Sequence, residues 1–210
     1  MDSYILDTNL FFNMEEGMGL GSKTEEVIRN MTKAIKKLKE LEQGIFYMPP
    51  LIVEELLSFF DNKEQDFLKE YLSAIVIKSP SVDDKNFPAR FFYQIVEDVR
   101  NRSYRGLRVG EEEIIKAGRT MQGKVDLSKK EFEITLGEVT RKYRERYRQA
   151  TRTGFLDSVA DLDLIVLAKA TDGYLVSTDE GVVAWGRTFG VKEMPVSVFG
   201  ARIKPLISVV

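Results

Sequence analysis

Short apolar runs alternate with longer amphipathic segments along much of the chain. Runs typical of buried strands lie at residues 4–6, 45–48 and 174–176. Between residues 24 and 41 the apolar positions recur at close to helical spacing, and helices are also indicated at 51–77, 157–170 and 180–189. Residues 74–77, at the end of the first of these, could instead be extended. Residues 193–198 suggest a final extended segment. Alternating strands and helices predict an α/β fold, in which a parallel sheet is flanked by helices.

The middle of the chain lacks this alternation. Residues 81–153 show no strand pattern and are highly charged, with helices indicated at 87–107, 111–118 and 126–151. We therefore predict a core formed by residues 1–80 and 154–210, interrupted by a long helical insertion at residues 81–153.

The composition narrows the possible classes of protein. The chain has 210 residues, a formal net charge of −2, no histidine and no cysteine. Histidine acid–base catalysis, thiolate nucleophiles and ordinary zinc sites are therefore excluded. No apolar stretch approaches the roughly 18 residues that a membrane span requires, and the N-terminal segment is strand-like rather than a secretory signal. We expect a globular, cytoplasmic protein with no membrane partner.

Carboxylate side chains follow the predicted strands and open a late helix. Asp7 and Asp179 each come just after a strand-like run, and parallel strands bind ligands beyond their carboxyl ends, so both would lie at one edge of the sheet. The further acidic candidates, on predicted helices, are Glu55, Asp157, Asp161 and Asp163. Oxygen ligands of this kind suit Mg²⁺ or Mn²⁺, and metal-assisted hydrolysis of a phosphate ester is the reaction that fits them best.

Each aspartate also has a purely structural explanation. An aspartate after a strand is common in turns, and Asp157 or Asp161 could simply cap a helix. Asp157 and Asp161 are four residues apart and can share one helix face, whereas Asp163 lies about 200° around the helix from Asp161. The choice between Asp161 and Asp163 as a direct ligand therefore stays open. The joint occurrence of the acidic segments favours a site over isolated turns and caps.

These segments resemble the PIN nuclease domain, in which a parallel α/β sheet carries acidic residues at four such places. The residues here that match that pattern are Asp7, Glu55, Asp161 or Asp163, and Asp179. The segment Ser177-Thr178-Asp179 is similar to the family's Thr/Ser-x-Asp ending. The resemblance implies a PIN-like parallel sheet with a metal-dependent nuclease site.

A narrower resemblance is to the minimal protein-only ribonuclease P family of bacteria and archaea, which is also labelled RNA ligase partner protein. It rests on residues 4–8, 46–49, 154–158 and 176–181 together with Trp185, while residues 14–21 and 108–123 match less clearly. The resemblance implies removal of 5′ leaders from precursor tRNA by a homo-oligomer built from dimers, with no RNA subunit.

The same resemblance implies roles for the acidic residues. Asp7, Asp161 and Asp179 would be the metal ligands, for Mg²⁺ or Mn²⁺. The remaining catalytic candidates are Asp157, Asp163 and Glu55. They would complete the site directly, through water or from outside the ligand set.

Cations are dense in the last predicted helix of the insertion. Arginine forks bind phosphates in two-point geometry. The candidates for RNA binding are Arg141, Lys142, Arg144, Arg146, Arg148 and Arg152. Tyr143 and Tyr147, on one face of this helix, could stack on bases or pack a helix hairpin. The arginines could equally form a solvated helix face.

The insertion has an apolar helix face, formed by Phe91, Phe92, Ile95 and Val99. This face could be a contact between copies of the chain or part of the core of one copy, and the sequence favours both equally.

Two alternative functions remain at this stage. One is a toxin-type PIN endoribonuclease acting on another RNA, although toxin chains are usually shorter and lack such an insertion. The other is a non-catalytic RNA-binding partner of an RNA ligase, which a degenerate acidic site would favour; the acidic set here is intact.

Overall fold

The computed structural model describes residues 1–13, 18–81, 88–124, 126–152, 156 and 158–207. The chain divides into two compact units, one formed by residues 1–87 and 156–210 and the other by residues 88–155. Asp157, one of the candidate site residues, lies outside the described residues. Within the described ranges, no helix combines the length and the apolar character needed to cross a membrane.

The first unit is built on a parallel sheet. Its strands are β1 (Asp2–Leu6), β2 (Gly44–Met48), β3 (Val76–Ile77), β4 (Tyr174–Val176) and β5 (Lys192–Glu193). They pair in the order β3-β2-β1-β4-β5, and every pairing is parallel. The central strand β1 is therefore bordered by β2 and β4, with Tyr4 opposite both Phe46 and Tyr174. The predicted α/β fold with a parallel sheet is confirmed.

Helices surround this sheet. They are α1 (Asn9–Phe12), α2 (Thr24–Glu40), α3 (Pro50–Ser58), α4 (Asp66–Ala74), α7 (Val159–Thr171), α8 (Glu180–Thr188) and α9 (Val196–Ile207), with α5 and α6 belonging to the second unit. The amphipathic α2 buries the residues that its helical spacing had marked, among them Ile28, Met31 and Ile35. Pro50 suits the first turn of α3, where its missing N–H removes no hydrogen bond.

Aromatic side chains fill the centre of the core. The ring of Tyr4 on β1 stacks on Phe46 of β2 at 4.9 Å between centroids and lies 5.5 Å from Phe199 of α9. All three side chains are fully buried. Their contact joins two neighbouring strands to a helix that is distant in sequence, and this fixes the centre of the sheet on which the acidic edge depends.

Two segments of the first unit differ from the expectation. A helix was expected over residues 61–77 with an extended end left open at 74–77; α4 begins only at Asp66, and the extended end is β3, whose Val76 pairs with Tyr47 of β2. Residues 193–198 were expected to be extended, but β5 ends at Glu193 and α9 begins at Val196. Both outcomes are tertiary: a two-residue edge strand exists only through its partner, and α9 is selected by burying Phe199 and Ile203.

The second unit is a helical hairpin of α5 (Ala89–Met121) and α6 (Lys129–Arg152). Helix α5 is continuous through the segment where two shorter helices were expected. Gly106 within it allows close packing, because a Cβ added there would come within 2.7 Å of the Tyr147 ring. Tyr143 lies 5.7 Å from Tyr147 between ring centroids. The tyrosine pair therefore packs the hairpin.

Candidate active site

The sheet has a point at which the chain order reverses, and Asp7 lies there. Strand β1 is followed in sequence by β2 on one side, while β4 borders its other side. In open parallel sheets the crevice at such a switch point, beyond the carboxyl ends of the strands, is the usual ligand site. Asp7 follows β1 directly, and its N–H donates to the carbonyl of Val176, the last residue of β4, at 3.2 Å.

The Asp7 carboxylate is almost completely buried and accepts several hydrogen bonds. The residue is 2% exposed. The Ser177 hydroxyl donates to Asp7 Oδ2 at 2.5 Å. The Asn9 amide donates to the same oxygen at 3.3 Å, and the Thr8 hydroxyl donates to Oδ1 at 3.3 Å. Donors from both neighbouring strand ends therefore hold this carboxylate in one orientation.

Ser177 connects Asp7 to Asp179. Its hydroxyl oxygen accepts the N–H of Asp179 at 3.0 Å while its hydrogen points to Asp7. The Asp179 carboxylate caps α8, accepting the N–H groups of Gly181 at 2.7 Å and Val182 at 3.0 Å. Asp179 therefore also has a structural role, as the N-cap of α8. The cap uses one carboxylate oxygen, Oδ1, and this fixes the residue beside the buried Asp7.

The electrostatics of the site oppose ionisation. Burial raises the pKa of Asp7, and the charge of Asp179 raises it further, against the lowering effect of hydrogen bonds from Ser177, Asn9 and Thr8. Burial also raises the pKa of Glu55 on α3, as does the charge of Asp7, while the Thr8 hydroxyl lowers it. The Thr8 hydroxyl thus interacts with Asp7 and with Glu55, and the charge of Asp7 lies within electrostatic reach of both Glu55 and Asp179.

The candidate aspartates of α7 begin a helix that packs against both β1 and α3. Ser158 caps this helix, and its hydroxyl accepts the N–H of Asp161 at 3.0 Å. Asp161 is therefore in the first turn, where the helix dipole favours a negative charge. Asp163 is half-buried, and burial raises its pKa.

The donor set suits a hard cation held largely through water. Among the residues described, no group of three or more acidic side chains is arranged to hold a metal ion. Magnesium, however, usually binds through one or two carboxylates and keeps several waters. Asp7 and Asp179, joined through Ser177, supply such a pair at the sheet edge. The residues present therefore fit a divalent cation.

The sequence indicates Thr8 and Ser177 only as parts of motifs. It does not show that their hydroxyls donate hydrogen bonds to Asp7. Both follow strand ends directly, as the acidic residues do. A hydroxyl next to an acidic residue at a strand end is the signal that could have identified them.

The cations of α6 fall into different environments. Arg141, Arg144 and Arg148 line one groove on the second unit. Arg146 instead binds two carboxylates of α5, Glu112 at 2.6 Å and Glu113 in a shorter contact. Lys142 and Arg152 are exposed.

We expect the ionisation of Asp7 to be visible in the stability of the metal-free protein. Its pKa is raised in the folded state, so the folded protein holds the proton more tightly than the unfolded chain. The stability this provides is present below the unfolded pKa of about 4 and is lost as the pH rises through the folded value. Asn cannot ionise, so the unfolding free energy of Asp7→Asn minus that of the wild type should increase with pH.

Urea unfolding in EDTA between about pH 4 and pH 8 measures this difference. Asp172→Asn is the matched control, because the Asp172 side chain is 83% exposed and pairs with Lys192. The difference for Asp7→Asn should rise with pH more than the difference for this surface control. A constant difference for Asp7→Asn would contradict the raised pKa.

Comparison with known proteins agrees with this geometry. The family model described as PINc domain ribonuclease matches residues 3–208. A protein named RNA-free ribonuclease P from Pyrococcus furiosus is 32% identical over 207 residues, covering 99% of this chain and 95% of that protein. A protein of the same name from Methanocaldococcus jannaschii is 31% identical, over 93% of this chain and 88% of its own length. Another from Hyperthermus butylicus is 37% identical, over 90% of this chain and 81% of its own length. The chain therefore belongs to the PINc domain ribonucleases and, among them, to the RNA-free ribonuclease P family.

Proposed function

We propose that the protein removes the 5′ leader from precursor tRNA by metal-dependent hydrolysis and acts without an RNA subunit. The observation that carries this proposal is the Asp7–Ser177–Asp179 arrangement at the switch point of a parallel sheet. Similarity over nearly the whole chain to proteins named RNA-free ribonuclease P supports the substrate. Those relatives favour this function over a toxin-type nuclease and over an accessory RNA ligase partner.

Asp7, Asp161 and Asp179 are the proposed ligands, for Mg²⁺ or Mn²⁺. A bound divalent cation supplies a water of lowered pKa and stabilises the charge that develops on the phosphate. We place Asp161 ahead of Asp163 because Asp161 lies in the first turn of α7, where the helix N-terminus favours the ionised carboxylate that binds a cation. Asp157 and Asp163 would complete the site.

The residues around the ligands position them and exchange protons. Ser177, Thr8 and Asn9 hold the Asp7 carboxylate in one orientation, so little reorganisation is needed at the moment of reaction. Glu55 is exposed, and partial burial together with the charge of Asp7 raises its pKa. Because it adjoins Asp7 and is open to solvent, we propose Glu55 as the group that accepts a proton from the attacking water and releases it to solvent.

The helical hairpin is proposed as the tRNA-binding part. Arg141, Arg144 and Arg148 recur at a spacing that places them on one side of α6, where they share a groove. A folded tRNA is recognised mainly through its shape and backbone, and arginine suits phosphate contacts. The hydrogen bonds of Arg146 to Glu112 and Glu113 assign it chiefly to the hairpin itself. Lys142 and Arg152 would extend the basic surface.

The hairpin is also the proposed oligomerisation surface. Phe91 is buried, as the intramonomer alternative expected, but Phe92 and Val96 are 58% and 68% exposed. With Val99 they lie at helical spacing on α5, and such an apolar stripe is typical of a surface that another protein covers. We propose that a second copy covers it and that such dimers build the larger homo-oligomer.

Loss of a metal ligand should abolish cleavage. Asp7→Asn and Asp179→Asn should each lower single-turnover cleavage of a 5′-labelled precursor tRNA by at least about a hundredfold, because even residues behind the ligands contribute 10–100-fold. EDTA should do the same to the wild type. Asp172→Asn, an exposed aspartate at the C-terminal cap of α7, should cleave normally.

The position of the cut decides the substrate. One cut at the mature 5′ end agrees with the proposal, whereas scattered metal-dependent cuts would assign the site to another RNA. Binding without any cleavage would favour the accessory role.

Removal of the groove arginines should weaken tRNA binding and its dependence on salt. Each lost phosphate contact lowers the slope of log K against log salt by roughly 0.7–0.9, so replacing Arg141, Arg144 and Arg148 with Ala should lower it by about 2–3. Filter binding at several salt concentrations measures the slope. The control replaces Lys33, Lys36 and Lys37 of α2 with Ala, which removes the same number of positive charges from the first unit. An equal change in that control would show a general charge effect in place of a binding groove.

Polar substitution of the exposed stripe should reduce the molecular mass in solution. Phe92→Ser with Val96→Ser should convert the oligomer to smaller species in light scattering without loss of helical content, since both side chains are exposed. Val198→Ser, at a residue 53% exposed on α9, is the control. An unchanged mass would remove this stripe from the oligomer contact.

A further inference from the structure

An exposed aromatic pair lies beside the acidic edge of the sheet. The ring centroids of Phe12 and Phe59 are 4.2 Å apart, with the planes inclined by 41°. Phe59 is 56% exposed. The next residue, Phe60, packs edge-on against Phe67 at 5.7 Å and so serves the interior. Phe59 instead presents its ring to solvent, supported from the side by Phe12.

The position of Phe12 is fixed by the acidic site. It is the last residue of α1, the helix that begins two residues after Asp7. On one side of Phe12 the Asn9 amide donates to Asp7, and on the other the Asn13 amide donates to the hydroxyl of Thr178 at 3.1 Å. Both ends of the segment that carries Phe12 are therefore tied to the strand ends that hold the acidic residues.

The position of Phe59 is fixed by α3. It directly follows the last residue of this helix and lies four residues after Glu55. Side chains four residues apart are neighbours on one helix face. Glu55 in turn lies within electrostatic reach of Asp7. The two rings are therefore carried by α1, which begins just after Asp7, and by the end of α3, which carries Glu55.

Aromatic rings beside a phosphodiester-cleaving site suit an unpaired nucleobase. Every base has a π face, so stacking holds a single strand without selecting its sequence. The bases of the acceptor stem are already paired and stacked, whereas the 5′ leader next to the cut is single-stranded. A surface that holds leaders of any sequence is what a general tRNA-processing enzyme requires.

We propose that Phe12 and Phe59 form a stacking platform for the unpaired leader base just upstream of the scissile phosphate. The assignment of the base rests on the proposed function. Stacking there holds the leader strand so that the adjacent phosphate lies at Asp7 and Asp179. These phenylalanines are positioning residues, because they touch the substrate away from the bond that breaks.

The test uses a precursor tRNA with the fluorescent base 2-aminopurine at the last leader position, bound in EDTA so that no cleavage is needed. Stacking quenches its fluorescence. We expect quenching by the wild type and by Phe59→Tyr, which keeps an aromatic face. Phe59→Leu keeps apolar bulk but has no such face, and it should bind the precursor without the quench.

Cleavage gives a second readout. With metal present, Phe59→Leu should lower kcat/KM on the normal precursor by about tenfold, the effect typical of one lost base–aromatic contact. On a precursor with an abasic last leader position, Phe59→Leu and the wild type should cleave alike. The control is Leu51→Ala. Leu51 is an exposed apolar residue four positions before Glu55, as Phe59 is four positions after it, and this variant should cleave both substrates as the wild type does.

Two results would overturn the platform. One is a quench of the leader probe by Phe59→Leu that equals the quench by the wild type. The other is a quench that depends on Phe59 when 2-aminopurine is in the 3′ tail but not when it is in the leader. A wild type that binds and quenches the leader probe but never cleaves would refute the proposed function while supporting the stacking.

Discussion

The burial of the Asp7 carboxylate is the constraint on which the first unit depends. A carboxylate that is 2% exposed is costly to ionise, and Asp179 adds negative charge beside it. Hydrogen bonds from Ser177, Thr8 and Asn9 offset part of this cost. The bonds from Thr8 and Asn9 are local, whereas the bond from Ser177 is available only because β1 and β4 are neighbours, with Asp7 N–H bonded to Val176. The sheet order thus serves the acidic edge directly, and the aromatic core beneath it holds that order in place.

The unfavourable electrostatics are also the basis of the proposed chemistry. When a cation binds between carboxylates that repel one another, it removes their repulsion. The free energy that this repulsion costs in folding is therefore recovered when the cation binds. Ser177 is central because one hydroxyl donates to Asp7 and accepts from Asp179 N–H. It fixes the separation of two acidic residues without contributing charge of its own.

The second unit follows a different physical principle. Its hairpin is held by charge pairs and close contact, with Glu113 only 5% exposed between Arg146 and Lys116, and Tyr147 against Gly106. Exposed ion pairs contribute little, but loss of a partner from a buried carboxylate is costly. These interactions leave much apolar and cationic surface on the outside of the helices. That surface is free for the proposed contacts with RNA and with a second copy.

The sequence by itself determined the class of the fold, the apolar runs that become β1, β2 and β4, and the acidic residues that follow β1 and β4, because these are local patterns of period and position. It left an extended end open at residues 74–77, but the pairing that makes this end a strand, and the helix α9, were decided only by the tertiary structure, since a two-residue strand needs its partner and α9 needs the core that receives Phe199. The same holds within the site. The sequence identifies Asp7 and Asp179 as candidates, but only the pairing of β1 with β4 places Ser177 between them, because that hydrogen bond joins residues 170 positions apart.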